Sequence, residues 1–324
     1  MLEVRQLRHF VAVADELSFT RAARKVPIAQ SALSASVRSL ERTLHTELFK
    51  RTGHSIALTE SGQVLLIEAR KVLRALDEAQ DAVADVEGGV RGTVRLGILQ
   101  ALAFSPLNEI LIAYRARRPQ VQMEVRVEPR GSTELLRAVQ QGRLDIAFVA
   151  LPGQDPTDVD VLSLGSHDLA LVVPHDHHLG AETTIGIDDL AGEAFVDYPE
   201  GWGIRRRVDQ VFAERHLERE IIVEVADPQT ACALALSGLG IAFVSPSTVG
   251  SFREVLHPTE PVIDLELALI SSKNPASRSA TQAFVALVAD QFSPPSARPG
   301  LPRSEVRRRI ATSPPAAATG RRGR

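Results

Sequence analysis

Between Ser18 and Glu41 the chain reads SFTRAARKVPIAQSALSASVRSLE, two short helices joined by a tight turn. Ser18 and Thr20 are both suitable N-caps for the first, which turns Ala22, Ala23 and Val26 inward. Pro27 stops it, because proline clashes with a continuing helix and drives its predecessor out of helical geometry. A second helix restarts near Gln30 and buries Leu33, Val37, Leu40 and Leu44 at intervals of three and four residues. Its opposite stripe, Ser31, Ser34, Ala35 and Arg38, is small, polar and basic. A helix with one such short, hydrogen-bonding face can enter the DNA major groove. Two packed surface helices of any globular domain would fit the same pattern.

The next segment adds a second nucleic-acid feature. LFKRTGHSIALTESG runs from Leu48 to Gly62, with Lys50 and Arg51 ahead of a Thr52-Gly53-His54 turn and an alternating strand over 55–58. That is a small basic hairpin, a wing suited to phosphate contact. With LRHFVAVADELSFTRAARKV (7–26), AQSALSASVRSLE (29–41) and LFKRTGHSIALTESG (48–62), the chain resembles the N-terminal domain of LysR-type transcriptional regulators over an ungapped stretch. The resemblance implies a winged helix-turn-helix at 1–58 that binds a double-stranded DNA operator. Gln30, Ser31 and Ser34 are expected at base edges, with Ala35 on the same face, and Thr20, Arg38 and Arg51 at phosphates, with His54 in the wing turn. The family commonly carries Arg at the position of Ala35, a longer polar residue at Ser36 and a capping hydroxyl at Ala29. The small residues here imply altered contacts and a missing cap.

Charge segregation agrees with this reading. Residues 1–58 hold nine Lys/Arg and five Asp/Glu, residues 91–292 seventeen against twenty-seven, and residues 293–324 eight against one. The net values are +4, −10 and +7, so a basic head sits on an acidic body that DNA repels. One cysteine, Cys232, excludes an internal disulfide framework and suits a reducing compartment. The start MLEVRQLRHF lacks the apolar core of a signal peptide, and no run reaches membrane-spanning length. A soluble cytoplasmic protein without membrane contact is expected.

From Thr59 to Glu87 the pattern is one long helix. Leu65, Ala69, Val72, Leu76, Ala79, Val83 and Val86 alternate spacings of four and three, an a/d seam over about three heptads. The stripe could pack on a neighbouring domain, but charged flanks favour a helix pair between two chains, parallel or antiparallel. The resemblance implies a homodimer built on this linker, 59–88, and a homotetramer formed through the effector domains. Gly88, Gly89 and Gly92 end the helix as a hinge.

Beyond Thr93, strands alternate with helices: 94–99, 106–118, 121–127, 133–141 and 144–151, then an extended stretch over 162–174 that could leave the first sheet and begin another. The alternation resumes over 187–190, 194–198, 203–215, 221–225, 229–237 and 241–245, with a returning strand at 265–271 and a last helix at 280–292. The fold class is therefore α/β, with βα units on a mostly parallel sheet. Two lobes within 91–292 are expected, lobe I at about 91–162 and 268–292, lobe II at about 163–267. Ligands favour the cleft between such lobes. The resemblance implies the same, a periplasmic-binding-protein-like effector domain holding a small-molecule inducer. Cleft candidates are Gln100 and Ala101 after the first strand, Ser132 and Thr133 at a helix start, and Trp202 and Ile204 in the loop YPEGWGIR. The family usually has a hydroxyl residue where Ala101 stands, which weakens a contact there. Ser132 and Thr133 fit N-caps equally well, and Trp202 fits an interlobe anchor as well as a ligand wall.

Other groups carry less. His175, Asp176, His177 and His178 lie on one turn, and adjacent residues rarely converge on one centre, so no metal is expected. Cys232, in the apolar ACALAL, reads as a small buried residue. No GxSxG, GxxxxGK[ST] or HExxH motif occurs, no enzyme activity is expected, and no cofactor is expected. The rival reading is a transport-type solute-binding module or a hydrolase on the two-lobed domain. RNA polymerase is a further expected partner of the regulator. The tail over 293–324, rich in Pro and Arg, is expected to be disordered, either plainly solvated or adding non-specific DNA affinity.

Overall fold

The structure, a computed structural model, describes residues 1–52, 55–86, 90–99, 105–151, 156–174, 176–246, 256–273, 275 and 278–292. The head comprises α1 (Val4–Glu16), α2 (Phe19–Lys25), α3 (Gln30–Leu44) and an antiparallel pair, β1 (Phe49–Thr52) with β2 (Ser55–Leu58). Ser18 alone caps α2, accepting from Arg21 N at 3.3 Å, while Thr20 lies inside the helix and exposed. Ala29 caps α3 with no side-chain bond. Phe10, Phe19 and Phe49 meet at 5.4 and 5.9 Å between centroids and close the core beneath Ala22, Leu33, Val37 and Leu40.

The linker is α4 (Glu60–Val86). Thr59 fixes its start, for its hydroxyl accepts from Gly62 N at 2.9 Å and donates to Glu47 O at 2.7 Å. Gly62 is required there, since an added Cβ would run into Leu48 O. Leu65 and Ala69 pack into the head's own core, and Arg70 pairs with Asp15 of α1. Further along, Arg74 lies against the body: a Cβ on Gly142, which has φ +66°, would overlap its guanidinium. Gly88 and Gly89, expected as the hinge, lie outside the described residues, and Gly92 has φ 103° at the start of the body.

The body runs β3 (Gly92–Leu99), α5 (Ser105–Arg117), β4 (Val121–Glu128), α6 (Ser132–Gln140), β5 (Ile146–Leu151), β6 (Val159–Asp168), β7 (Ala170–Val172), β8 (Ile185–Gly186), β9 (Ala194–Asp197), α7 (Gly203–Glu214), β10 (Glu220–Glu224), α8 (Pro228–Leu236), β11 (Ala242–Val244), β12 (Leu256–His257), β13 (Thr259–Glu260), β14 (Asp264–Ser272) and α9 (Arg278–Phe292). One five-stranded sheet has the order β4-β3-β5-β14-β6. β3 is parallel to β4 and β5, whereas β14 is antiparallel to β5 and β6, so the sheet is mixed. The segment over 187–190, expected to continue the strand–helix alternation, is a 3-10 turn.

α5 and α9 cover one face over Val94, Leu96, Phe148 and Leu269, and Tyr114 closes it by donating to Ala280 O at 2.7 Å. α6 covers the other face over Ala147, Val149 and Ile270. Residues 163–168, expected to lie beyond lobe I, still belong to its sheet because β6 pairs with β14 as far as Asp168. The chain leaves the sheet at Leu169 and returns through Ile263, whose carbonyl accepts from Leu169 N at 2.7 Å. Between those crossings the second core collects Phe195, Tyr198, Phe212 and Phe243. Arg219 lies 5.2 Å from the rings of both Phe195 and Phe212 and pairs with Asp197 at 2.5 Å. Burial pushes the Asp197 carboxyl upward, and the Arg219 charge opposes that shift.

Candidate functional site

Recognition begins with how α3 is held. Its inner face is apolar, but two polar bridges from α1 fix its roll: Gln6 Nε2 donates to Ser39 Oγ at 3.2 Å, and His9 Nδ1 lies 2.7 Å from Ser36 Oγ. Burial lowers the His9 pKa, and nearby Arg5 adds to the shift, so the imidazole is neutral at pH 7. Gln30, Ser31, Ala35 and Arg38 are left exposed along the outer face. Ser34 departs from the expected stripe. It is only 8% exposed, between Leu33 and Val37, and its hydroxyl accepts from Arg38 Nη1 at 2.9 Å. Ser34 thus anchors the arginine instead of lying open beside it.

Thr20 is exposed on α2, and Lys50 is exposed on β1. Arg51 belongs to β1 by its backbone, while its side chain and all of His54 lie outside the described residues. Glu16 neutralises two of the head's cations, holding Lys25 at 2.5 Å and Arg21 at 3.2 Å. The Lys25 hydrogen bond keeps the Glu16 carboxyl below its usual range.

The seam expected for chain pairing divides in two. Leu65 is half-buried and Ala69 buried, both against the head of the same chain. Leu76 is half-buried, whereas Val72, Ala79 and Val83 are exposed, Val83 at 68%. Sequence periodicity could not separate the two halves, because both obey one repeat.

In the body, α6 and α7 begin at one place. Thr133 N donates to Gly201 O at 3.3 Å, Trp202 Nε1 donates to Pro129 O at 2.9 Å, and Ser132 Oγ accepts from Ala150 N at 3.0 Å. The cap of α6 is Gly131, with φ +79°, so neither Ser132 nor Thr133 caps it. Trp202 stacks on Tyr198 at 5.2 Å and 3°, and Tyr198 donates to Phe243 O at 3.0 Å. Ser132, Trp202 and Ile204 are all buried. The segments over 129–133 and 199–203 therefore close on each other, and the tryptophan is an anchor between lobes.

Three glycines make this closure fit, and Gly131 among them carried no signal in the sequence. A Cβ on Gly131 would lie 2.7 Å from Gly201 O, one on Gly201 would run into Arg130 O, and one on Gly203 would lie 2.5 Å from Ala150 Cβ. The arginines over 205–207 are engaged by the chain itself: Arg205 with Asp209 at 2.9 Å, Arg206 with Thr133 Oγ1 at 3.5 Å, and Arg207 with Asp264 at 3.0 Å. Gln100, Ala101 and His175 lie outside the described residues. Cys232 is fully buried, and burial pushes its thiol up.

Among the described residues no helix is long and apolar enough to cross a membrane. Residues 4–63 match the profile described as bacterial regulatory helix-turn-helix protein, lysR family, and residues 87–293 match the LysR substrate binding domain. The HTH-type transcriptional regulator ShiR of Corynebacterium glutamicum is 34% identical over 76% of this chain and 84% of its own. A probable RuBisCO transcriptional regulator of Trichormus variabilis is 31% identical over 90% and 88%. Among solved structures, a full-length OxyR variant from Pseudomonas aeruginosa aligns at 24% identity with a TM-score of 0.69, covering 89% of this chain and 95% of that one. Full-length CbnR complexed with its target DNA aligns at 20% identity and a TM-score of 0.58, covering 90% and 100%.

Proposed function

The chain belongs to the LysR family of DNA-binding transcriptional regulators, and on that premise we propose how its residues divide the work. An inducer-controlled regulator replaces the solute-binding and hydrolase readings, and an enzyme role with them. The head, 1–58, docks α3 in the major groove. Gln30 and Ser31 approach base edges, with Ala35 leaving room beside them. Thr20, Arg38, Arg51 and His54 line the phosphates, and Ser34 acts through Arg38 by fixing its guanidinium. The observation that carries this assignment is the open stripe Gln30, Ser31, Ala35 and Arg38 on a helix whose opposite face is buried.

The linker, 59–88, pairs two chains through Val72, Leu76, Ala79 and Val83, the part of the seam its own head leaves uncovered. The body, 91–292, takes a small-molecule effector between its lobes. Binding there competes with the contacts of Ser132, Thr133 and Trp202 and resets the lobes by differential affinity for two arrangements. Gln100, Ala101 and Ile204 are further proposed effector contacts. A regulator of this kind works where the chromosome is, which places it in the cytoplasm, and RNA polymerase is its further partner at the promoter.

Electrophoretic binding to the DNA beside its own gene tests the head. Specific, salt-sensitive binding by the wild type and its loss in Ser31→Trp are expected. Operator affinity unchanged by Ser31→Trp would overturn the face assignment.

A further inference from the structure

Lobe II carries a cluster that neither DNA recognition nor the interlobe cleft uses. His177 and His178 follow β7 on the turn that opens a 3-10 helix at His178–Ala181, and their rings stack at 4.5 Å and 29°. The fold brings Glu193, the residue just before β9, between them. Its carboxylate lies 3.0 Å from His177 Nε2 through one oxygen and 3.4 Å from His178 Nε2 through the other. All three ligand atoms fall within 4.8 Å of one another.

The objection that neighbouring residues on a turn rarely share a centre does not hold for this geometry. Stacking turns both Nε2 atoms to one side, and the carboxylate comes from a separate loop. We propose that His177, His178 and Glu193 bind a divalent transition-metal cation of the zinc class. Two imidazoles and a carboxylate are borderline ligands that favour Zn²⁺ over Mg²⁺ or Ca²⁺, which prefer oxygen alone. Three protein ligands leave a fourth tetrahedral position for water. Tetrahedral bonds of about 2.1 Å put ligand atoms roughly 3.4 Å apart, close to the 3.0 and 3.4 Å that separate the Glu193 oxygens from the two imidazoles.

The burial pattern also suits a cation. His177 and Glu193 are mostly covered, while His178 is 67% exposed and gives the ion a way in. The binding has a local cost. Metal at His177 Nε2 leaves Nδ1 protonated, so the long 3.3 Å contact from Leu179 N to Nδ1 opens. A bound ion would cross-link the turn after β7 to the loop before β9, and would therefore stiffen lobe II on one side.

The test uses untagged full-length protein, Zn²⁺ and a chromophoric chelator in competition. Site-specific zinc is expected in the wild type, persisting in excess Mg²⁺. His178→Ala and Glu193→Gln should each weaken it by at least about tenfold, while His216→Ala, on a separate surface turn, should leave it unchanged. Glu193→Gln keeps an acceptor for His177, so its metal-free melting temperature should equal that of the wild type. Zinc should raise the wild-type melting temperature and leave that of both cluster variants where it was. Zinc affinity equal in the wild type and both variants, or no zinc bound by folded wild type, would overturn the proposal.

Discussion

The head and the body use their polar groups in opposite ways. On α3 the outer polar side chains point away from the protein, held in place by Gln6, His9 and Ser34 from behind. At the meeting of α6 and α7 the polar atoms are already consumed, with Thr133 N, Trp202 Nε1 and Ser132 Oγ each bonded to the chain itself. A DNA-reading surface gains from being preset, because side chains already held in place lose little freedom on binding. If the proposed effector site lies there, these self-made contacts are the arrangement that a ligand must displace.

The largest expected effect would break the protein into single chains. Val72→Asp puts an unpaired carboxylate in the proposed seam, at a cost of several kcal/mol if buried, about 2–7 for a polar group without a partner. Sedimentation should then show monomers with an intact circular-dichroism spectrum, and operator binding should collapse. A dimer of undiminished affinity would move the pairing surface elsewhere.

Gly131→Ala should separate body from head most clearly. Its Cβ would press on Gly201 O at 2.7 Å from a backbone with φ +79°, a strain of about 1–3 kcal/mol. Effector-free melting of the body should drop by several degrees while operator affinity stays within about twofold. Operator affinity lost along with body stability would mean that the two regions are one cooperative unit.

Arg38→Ala should remove a phosphate contact and uncover the Ser34 hydroxyl, weakening operator binding by about 1–2 kcal/mol and flattening its salt dependence by roughly one counterion. Ser34→Ala should weaken it less, since Arg38 stays but loses its tether. Equal losses would instead place Ser34 itself at the DNA.

His9 gives the head a pH dependence. Its folded pKa is lowered by burial and by Arg5, so the unfolded chain binds the proton more readily. Head stability is then full above the unfolded histidine pKa of about 6.5 and declines as pH falls from there through the lower folded value. Thermal melts between pH 7.5 and 5 should show this loss, and His9→Asn should flatten it. The smallest effect is a gain: Ala29→Ser supplies the missing cap of α3 and should add about 1 kcal/mol.

What is legible in the sequence follows from the range of the forces involved. Helix starts at Ser18 and Gln30, the stop at Pro27 and the long linker are readable because capping, proline geometry and a seven-residue repeat act locally. Periodicity puts Ser34 on the open stripe, whereas it flanks the Leu33, Val37 and Leu40 face, and only the tertiary packing of the head decides how far it is covered. The closure by Gly131, Gly201 and Gly203 is not readable, since its two segments meet across roughly seventy positions of sequence. Glu193 meets His177 across only 16 positions, yet no local repeat reports that turn either.

Leu48 O accepts from Thr59 N at 3.0 Å, and Gly62 comes down on the same carbonyl with no room for a methyl group. Arg70 pins the following turns to Asp15. The DNA-reading head and the first third of α4 therefore move as a single stiff crank. With 27 residues, the arm is roughly 40 Å long, and a tilt of about 10° at its far end would swing the head through roughly 7 Å, about two base-pair steps along the duplex. Small rotations where the arm meets the body are enough to decide whether two heads fall on matching half-sites.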